Sequence, residues 1–172
     1  IKDADIRYAR EKDARIKLIA RCGKTENRIY AYVMPQFIDE NDTLNKVMYE
    51  YNGLLMEGAF SEHQFFMGKG AGGNATGSAV LSDISALTYD YRYEYKKLHQ
   101  QLNHEYSYSI MLEVYVSYNG KSRPDTADFD KISERYESDN FSYLIGRINL
   151  QKLMAAKWLN EPDVSIILTG NN

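Results

Sequence analysis

Alternation with period two dominates the first forty residues. Ile16, Leu18, Ala20 and Cys22 alternate with Arg15, Lys17 and Arg21, which predicts a strand. Ahead of it, 3–14 reads as a short helix. Asp3 and Asp5 stand where the helix dipole favours acids, and Ile6, Tyr8 and Ala9 face the body. A turn over 23–27 leads to a second alternating run, roughly 28–36. Ile29, Ala31 and Val33 share one face of it, and Tyr30, Tyr32 and Met34 the other. Apolar positions on both faces predict an antiparallel hairpin covered on both sides. After a polar connection, 35–45, strands are predicted at about 47–59 and 63–69, with a turn at Ser61-Glu62. A helix from about 75 follows, with Ala79, Val80, Ile84 and Leu87 as its buried face. Tyr89, Tyr91, Tyr93 and Tyr95 alternate with Asp90, Arg92 and Glu94, which is a strand period, but they also meet as i,i+4 pairs; since Lys96 to Leu102 reads as helical, the helix is expected to continue to Leu102 rather than give way to a strand.

The second half begins near Asn103. Tyr108, Ile110, Leu112, Val114 and Val116 mark a strand. Asp125 is placed to cap a helix carrying Phe129, Ile132 and Tyr136 at i, i+3 and i+7. A strand over 141–148 has Phe141, Tyr143 and Ile145 on one face. Asn149 caps a helix bearing Leu150, Leu153, Met154, Lys157 and Trp158, and 164–168 is a last strand. The order from Asn103 is thus β-α-β-α-β, a small sandwich. The expected fold class is α+β: a mostly antiparallel sheet with helices over 1–102, and the sandwich over 103–172.

Composition narrows the chemistry. The 172 residues are 44% hydrophobic and 26% charged, with net charge −3. That is globular rather than disordered, and without a basic patch it argues against nucleic acid as a partner. No apolar run is long enough for a membrane span. The chain opens Ile-Lys-Asp without Met and without a signal peptide, so a piece of a longer, cytoplasmic protein is expected. A single cysteine, Cys22, excludes an internal disulfide, and its expected place is a buried strand position. His63, His99 and His104 lack metal-ligand spacing, so no metal is expected. Tyrosine is abundant, at 15 residues, which suits interfaces and shallow cores.

One motif carries chemistry. Gly68-x-Gly70-x-x-Gly73 follows a predicted strand and opens a predicted helix, as a dinucleotide fingerprint does. The strands before it form hairpins, however, and no parallel crossover follows, which excludes a complete Rossmann domain. Glycines that let a backbone approach a ligand, and helix N-terminal amides that favour anionic groups, are what remain.

The run from Phe66 to Ile84, FMGKGAGGNATGSAVLSDI, resembles homoserine dehydrogenase, whose catalytic region ends in a GxGAGxxxTxxAVxxD segment. Two collinear stretches agree. Asp5-Ile6-Arg7-Tyr8-Ala9-Arg10-Glu11 with Arg15-Ile16-Lys17-Leu18-Ile19-Ala20 resembles that family's DI-x-x-A-x-E…IKL-x-A segment. Asn52 to Gly58, with Leu54 and Glu57, resembles its N-A-V-x-V-E-G strand. The likeness covers about 1–90. It implies an NAD- or NADP-dependent oxidoreductase that interconverts homoserine and aspartate 4-semialdehyde in threonine and methionine biosynthesis. The family's nucleotide-binding domain and its proton-transferring Asp and Lys lie upstream of this region. The chain is therefore expected to be the C-terminal part of the catalytic and dimerisation region, inactive alone, with no catalytic residue of its own. By alignment Gly72 matches the glycine whose backbone contacts the cofactor, and Gly70, Ala71 and Thr76 match its neighbours. The resemblance implies a homodimer or higher homo-oligomer.

Residues 103–172 resemble an ACT regulatory domain, a βαββαβ sandwich that binds an amino acid such as threonine. Two departures stand out: one strand fewer between the helices, and Tyr118-Asn119-Gly120-Lys121-Ser122-Arg123-Pro124-Asp125 in place of the Asp/Asn-x-Pro-Gly turn. The altered turn implies weak threonine binding or none. The alternative to the enzyme reading is a stand-alone oligomerisation or small-molecule-binding regulatory module.

Overall fold

The computed structural model describes residues 1–89, 91, 104–120 and 122–170. In chain order it contains α1 (Asp3–Glu11), β1 (Ala14–Thr25), β2 (Arg28–Asp39), β3 (Tyr51–Gly58), β4 (Glu62–Lys69) and α2 (Gly73–Leu87). There follow β5 (Glu105–Tyr106), β6 (Met111–Tyr118), β7 (Lys131–Tyr136), β8 (Ser142–Asn149), α3 (Leu150–Ala155) and β9 (Ser165–Leu168). Contacts divide the chain into two units, 1–40 with 103–172, and 41–102. This differs from the linear division expected at 102/103, because one sheet recruits strands from both halves of the chain.

In the first unit the strand order is β1-β2-β9-β6-β8-β7, with β5 beside β2. β1 and β2 form a hairpin in register from Ala14↔Asp39 to Thr25↔Arg28. β6 is the spine, paired antiparallel with β8 on one side and β9 on the other. The parallel pairings are β2 with β9, through Gln36↔Leu168, and β2 with β5. The class is therefore the expected α+β with a mostly antiparallel sheet.

Alternation on β6 assigns two layers. Leu112, Val114, Val116 and Tyr118 point to one face and join Leu144, Ile148, Leu150, Leu153, Trp158 and Leu168 in the core. Asn149 caps α3, accepting from the Gln151 amide at 2.9 Å, which turns Leu150 and Leu153 onto that face. Phe129 stacks on Trp158 at 5.8 Å, and the indole N–H donates to Asp128 at 2.8 Å. The opposite face carries Tyr115 and Ser117. Here α1 lies across the sheet, with Tyr8 against Tyr115, Phe37 and Tyr143 at centroid distances of 4.6, 5.6 and 5.0 Å.

Four expectations fail in this unit. The helix predicted after Asp125 is a single 3-10 turn, Thr126–Asp128. Asp125 does cap it, accepting from the Ala127 amide at 3.0 Å. Ile132 and Tyr136 then lie in β7, which pairs with β8 and slips by one residue between Ile132 and Glu134. Phe129, Ile132 and Tyr136 fit a helical spacing, but a bulged strand beside β8 satisfies the backbone and the core together. With β7 present, the missing strand of the 103–172 region is found. The order β9-β6-β8-β7 is that of a split βαβ sandwich whose first helix has shrunk to one turn. Cys22 is exposed rather than buried. It shares its hairpin face with Leu18, 71% exposed, and Val33, 61% exposed, so the hairpin is covered on one side only over this distal stretch. Tyr30, Tyr32 and Met34, on the other face, are half-buried, and the last two pack on the core.

The second unit holds the β3–β4 hairpin, in register from Tyr51↔Lys69 to Gly58↔Glu62, and helix α2. No described residue of 41–102 is buried. The expected buried face of α2 is open: Val80, Ile84 and Leu87 are 53%, 55% and 76% exposed. The helix stops at Leu87 and Tyr89 lies in a turn, so continuation through the tyrosines fails at its start; 92–102 lies outside the described residues. Among the described residues no helix is long and apolar enough to cross a membrane.

Candidate functional site

The glycine loop is built by the hairpin that precedes it. β4 ends at Lys69, opposite Tyr51, and the Gly70 amide donates to the Glu50 carbonyl at 3.2 Å. Lys69 pairs with the Glu50 carboxylate at 3.0 Å and lies over the Tyr51 ring, 5.5 Å from its centroid. A hydrogen bond from its own backbone and the Lys69 ammonium hold the Glu50 carboxyl below its usual range. These contacts anchor the chain where the loop begins.

Gly70 and Gly72 differ in what they ask of the residue there. A Cβ on Gly70 would meet only the tip of the exposed Asn52 side-chain amide, which would have to swing aside. Gly72 has φ 103° and ψ 152°, a region essentially closed to residues with a Cβ. It caps α2, and its carbonyl accepts from the Thr76 amide at 3.1 Å. A Cβ built at Gly68, Gly72 or Gly73 meets nothing within 4 Å. Gly70, Ala71, Gly72 and Thr76 are all exposed. The arrangement is an open stretch of backbone ending in a helix N-terminus, chemically suited to a ligand with anionic groups.

The structure thus brings the four sequence-predicted residues onto one loop and the first turn of one helix. Asn52 and Glu50 are additions. Sequence reasoning noted Asn52 only as part of a strand motif, and only the register Asn52↔Gly68 places its side chain beside Gly70. Among the described residues no three His, Cys, Asp or Glu side chains cluster as metal ligands.

The chain is similar to homoserine dehydrogenases in sequence over its first half and in fold. Residues 1–85 match the family model of homoserine dehydrogenase, so the first half of the chain resembles that family. The homoserine dehydrogenase of Corynebacterium glutamicum is 36% identical over 89 residues, covering 49% of this chain and 20% of the relative. That of Bacillus subtilis (strain 168) is 29% identical over 87 residues, covering 51% and 20%. The chain therefore matches about one fifth of the length of these curated relatives. Among solved structures, a homoserine dehydrogenase from Thiobacillus denitrificans superposes with a TM-score of 0.63 at 20% identity, covering 96% of this chain and 44% of that one. The S. aureus enzyme at pH 8.5 gives 0.57 at 22% identity, covering 98% and 44%. At these identities the structural likeness establishes the fold, and it extends over nearly the whole chain.

Proposed function

We propose that the chain is the C-terminal portion of a homoserine dehydrogenase. Residues 1–102 would belong to the catalytic and dimerisation region, and 103–172 would form an ACT-like sandwich. The observation that carries this reading is Gly72, a glycine-only backbone conformation at a helix N-terminus inside the family's glycine motif. The open apolar side chains of α2 and of β3–β4, such as Leu54, Phe66, Val80 and Leu87, support a unit completed by further polypeptide. The β9-β6-β8-β7 order supports the ACT-like assignment.

The loop fits a nicotinamide dinucleotide, NAD or NADP. Bound, that group supplies hydride transfer between homoserine and aspartate 4-semialdehyde. The contribution of this chain is positional. Gly72 offers backbone that a ligand can approach without a side chain in the way, Ala71 adds only a methyl group, and Gly70 lies beside Asn52. Thr76 sits one turn into α2 and closes its first turn through its amide. No proton-transferring residue is assigned here, so the chain alone should not turn over. The proposed setting is a cytoplasmic homo-oligomer with a two-fold interface on the open face of the β1–β2 hairpin, and with little or no threonine affinity in 103–172; the single sheet expected to join 15–35 and 47–68 is two sheets in this fold.

The test is direct. Purified 1–172 should show no homoserine oxidation with either cofactor, whereas an extended polypeptide with an upstream nucleotide-binding domain should be active. Turnover by 1–172 alone would refute the assignment. In the extended protein Gly72→Ala should raise the KM for the cofactor; a lowered melting point with unchanged kcat/KM would remove the cofactor role from Gly72.

A further inference from the structure

Asparagine is followed by glycine twice in the chain, at Asn52-Gly53 and at Asn119-Gly120. The side-chain carbonyl carbon of an asparagine can close a five-membered ring onto the next residue's backbone nitrogen, and glycine leaves that nitrogen unscreened by a Cβ. The fold treats the two pairs differently. Asn52 and Gly53 lie inside β3, in register with Gly68 and Met67, where extended backbone turns the Gly53 nitrogen away from the side chain. Ring closure there requires the hairpin to open first. Asn119 and Gly120 come just after β6 and belong to no strand. They sit in a turn closed by the Ser122 amide on the Asn119 carbonyl at 3.3 Å, and Gly120 is exposed with φ 57°.

Asn119 also fastens two segments together. One terminal atom of its side chain faces two carbonyl oxygens, that of Asn140 at 2.8 Å and that of Tyr118 at 3.0 Å, so this atom is the amide nitrogen and donates to both. Asn140 belongs to the 138–141 turn between β7 and β8. Ser138 shapes that turn: its hydroxyl donates to the Phe141 carbonyl at 2.6 Å and accepts from the Phe141 amide at 3.2 Å. The Asn119 amide is thus a clasp between the end of β6 and the turn before β8. A carboxylate in its place has no proton to give and sets an acceptor against two acceptors.

We propose that Asn119 is a site of spontaneous deamidation, and that the reaction unfastens the chain after β6 from the 138–141 turn. The Gly120 nitrogen attacks Asn119 Cγ. The new N–Cγ bond replaces the Cγ–Nδ2 bond, and the side-chain nitrogen leaves as ammonia with the proton that Gly120 gives up. Water then opens the succinimide at either carbonyl, leaving aspartate or isoaspartate and one more negative charge. The clasped side chain is held away from the attacking nitrogen, so the reaction proceeds from the unclasped one, and loosening the 138–141 turn speeds it. The freed stretch leads into Arg123 and Asp125, which line a hollow with Trp158.

Peptide mapping by mass spectrometry, on the whole 1–172 chain stored in mildly alkaline buffer, tests the site. The peptide holding Asn119 should gain the mass of amide-to-acid conversion, with Asn52 converting at least about tenfold more slowly. Ser138→Ala should speed conversion at Asn119 several-fold and leave Asn52 unchanged. Asn119→Asp, made outright, should accelerate hydrogen exchange in 137–142 by about tenfold, with 111–117 unaffected. Asn119 remaining intact, or Asn52 converting as fast, would overturn the site. Unaltered exchange in Asn119→Asp, or no acceleration of conversion in Ser138→Ala, would overturn the clasp. The storage assay uses the unaltered chain, so it decides the site even where a variant fails to fold.

Discussion

Two glycines five residues apart should respond to alanine with opposite signs. Gly72 sits at φ 103° and ψ 152°, and Gly77 lies inside α2; neither has any atom within 4 Å of a built Cβ. Collision is therefore excluded at both positions, and only backbone preference remains. Forcing alanine into a glycine-only region costs about 1–3 kcal/mol. Replacing a glycine in an exposed helix interior stabilises the helix by about 0.8–1.0 kcal/mol. Because no residue of α2 is buried, it can open locally, and the amides of 73–87 report its stability. Their exchange should accelerate by about 5–150-fold in Gly72→Ala. In Gly77→Ala it should slow by roughly fivefold, at about 1.4 kcal/mol per tenfold. Far-UV circular dichroism should move in the same two directions. Shifts of equal sign, or no change in Gly72→Ala, would refute the claim that a left-handed cap holds the loop.

Gly146→Ala should be among the most damaging small substitutions. Its Cβ would lie 2.8 Å from the Lys131 carbonyl and from the Phe129 ring, at the bulge between β7 and β8, so about 1–3 kcal/mol should be lost in denaturant unfolding. Burial, with Asp5 as the nearest charge, raises the Tyr115 phenol well above its usual 10, and burial with Glu134 does the same for Tyr143. Raised folded-state values contribute stability in full below pH 10, which is lost as pH climbs further, because the unfolded chain then gives up protons that the fold retains. Absorbance titration should show both phenols keeping their protons above pH 10 until the fold is lost; ionisation of either near pH 10 in the folded protein would contradict this. Leu18→Lys, on the open face of β1–β2, should reduce any dimer to monomer in light scattering while preserving the fold; an unchanged mass would place the contact elsewhere.

What the sequence determined by itself was local. The alternation of Ile16 to Cys22 against Ile29 to Val33 specified a hairpin, since a strand repeats every two residues wherever it packs. Asn149 announced α3, and the Gly70–Gly72 stretch announced a loop before a helix, because caps and left-handed turns are satisfied within a few residues. Tertiary structure decided the remainder. Ile132 and Tyr136 suit a helix or a bulged strand, and the waiting edge of β8 placed them in β7, leaving Phe129 just ahead of the strand. Whether Leu18, Cys22, Val80 or Leu87 is covered depends on what the rest of the chain brings to them, which no periodicity encodes. Asp5 looked like an ordinary first-turn acid. Only the meeting of α1 with β6, more than a hundred residues away, buries it against Tyr115 and Ser117. Burial and long-range pairing are properties of the assembled sheet, and a one-dimensional pattern states only which faces could accept them.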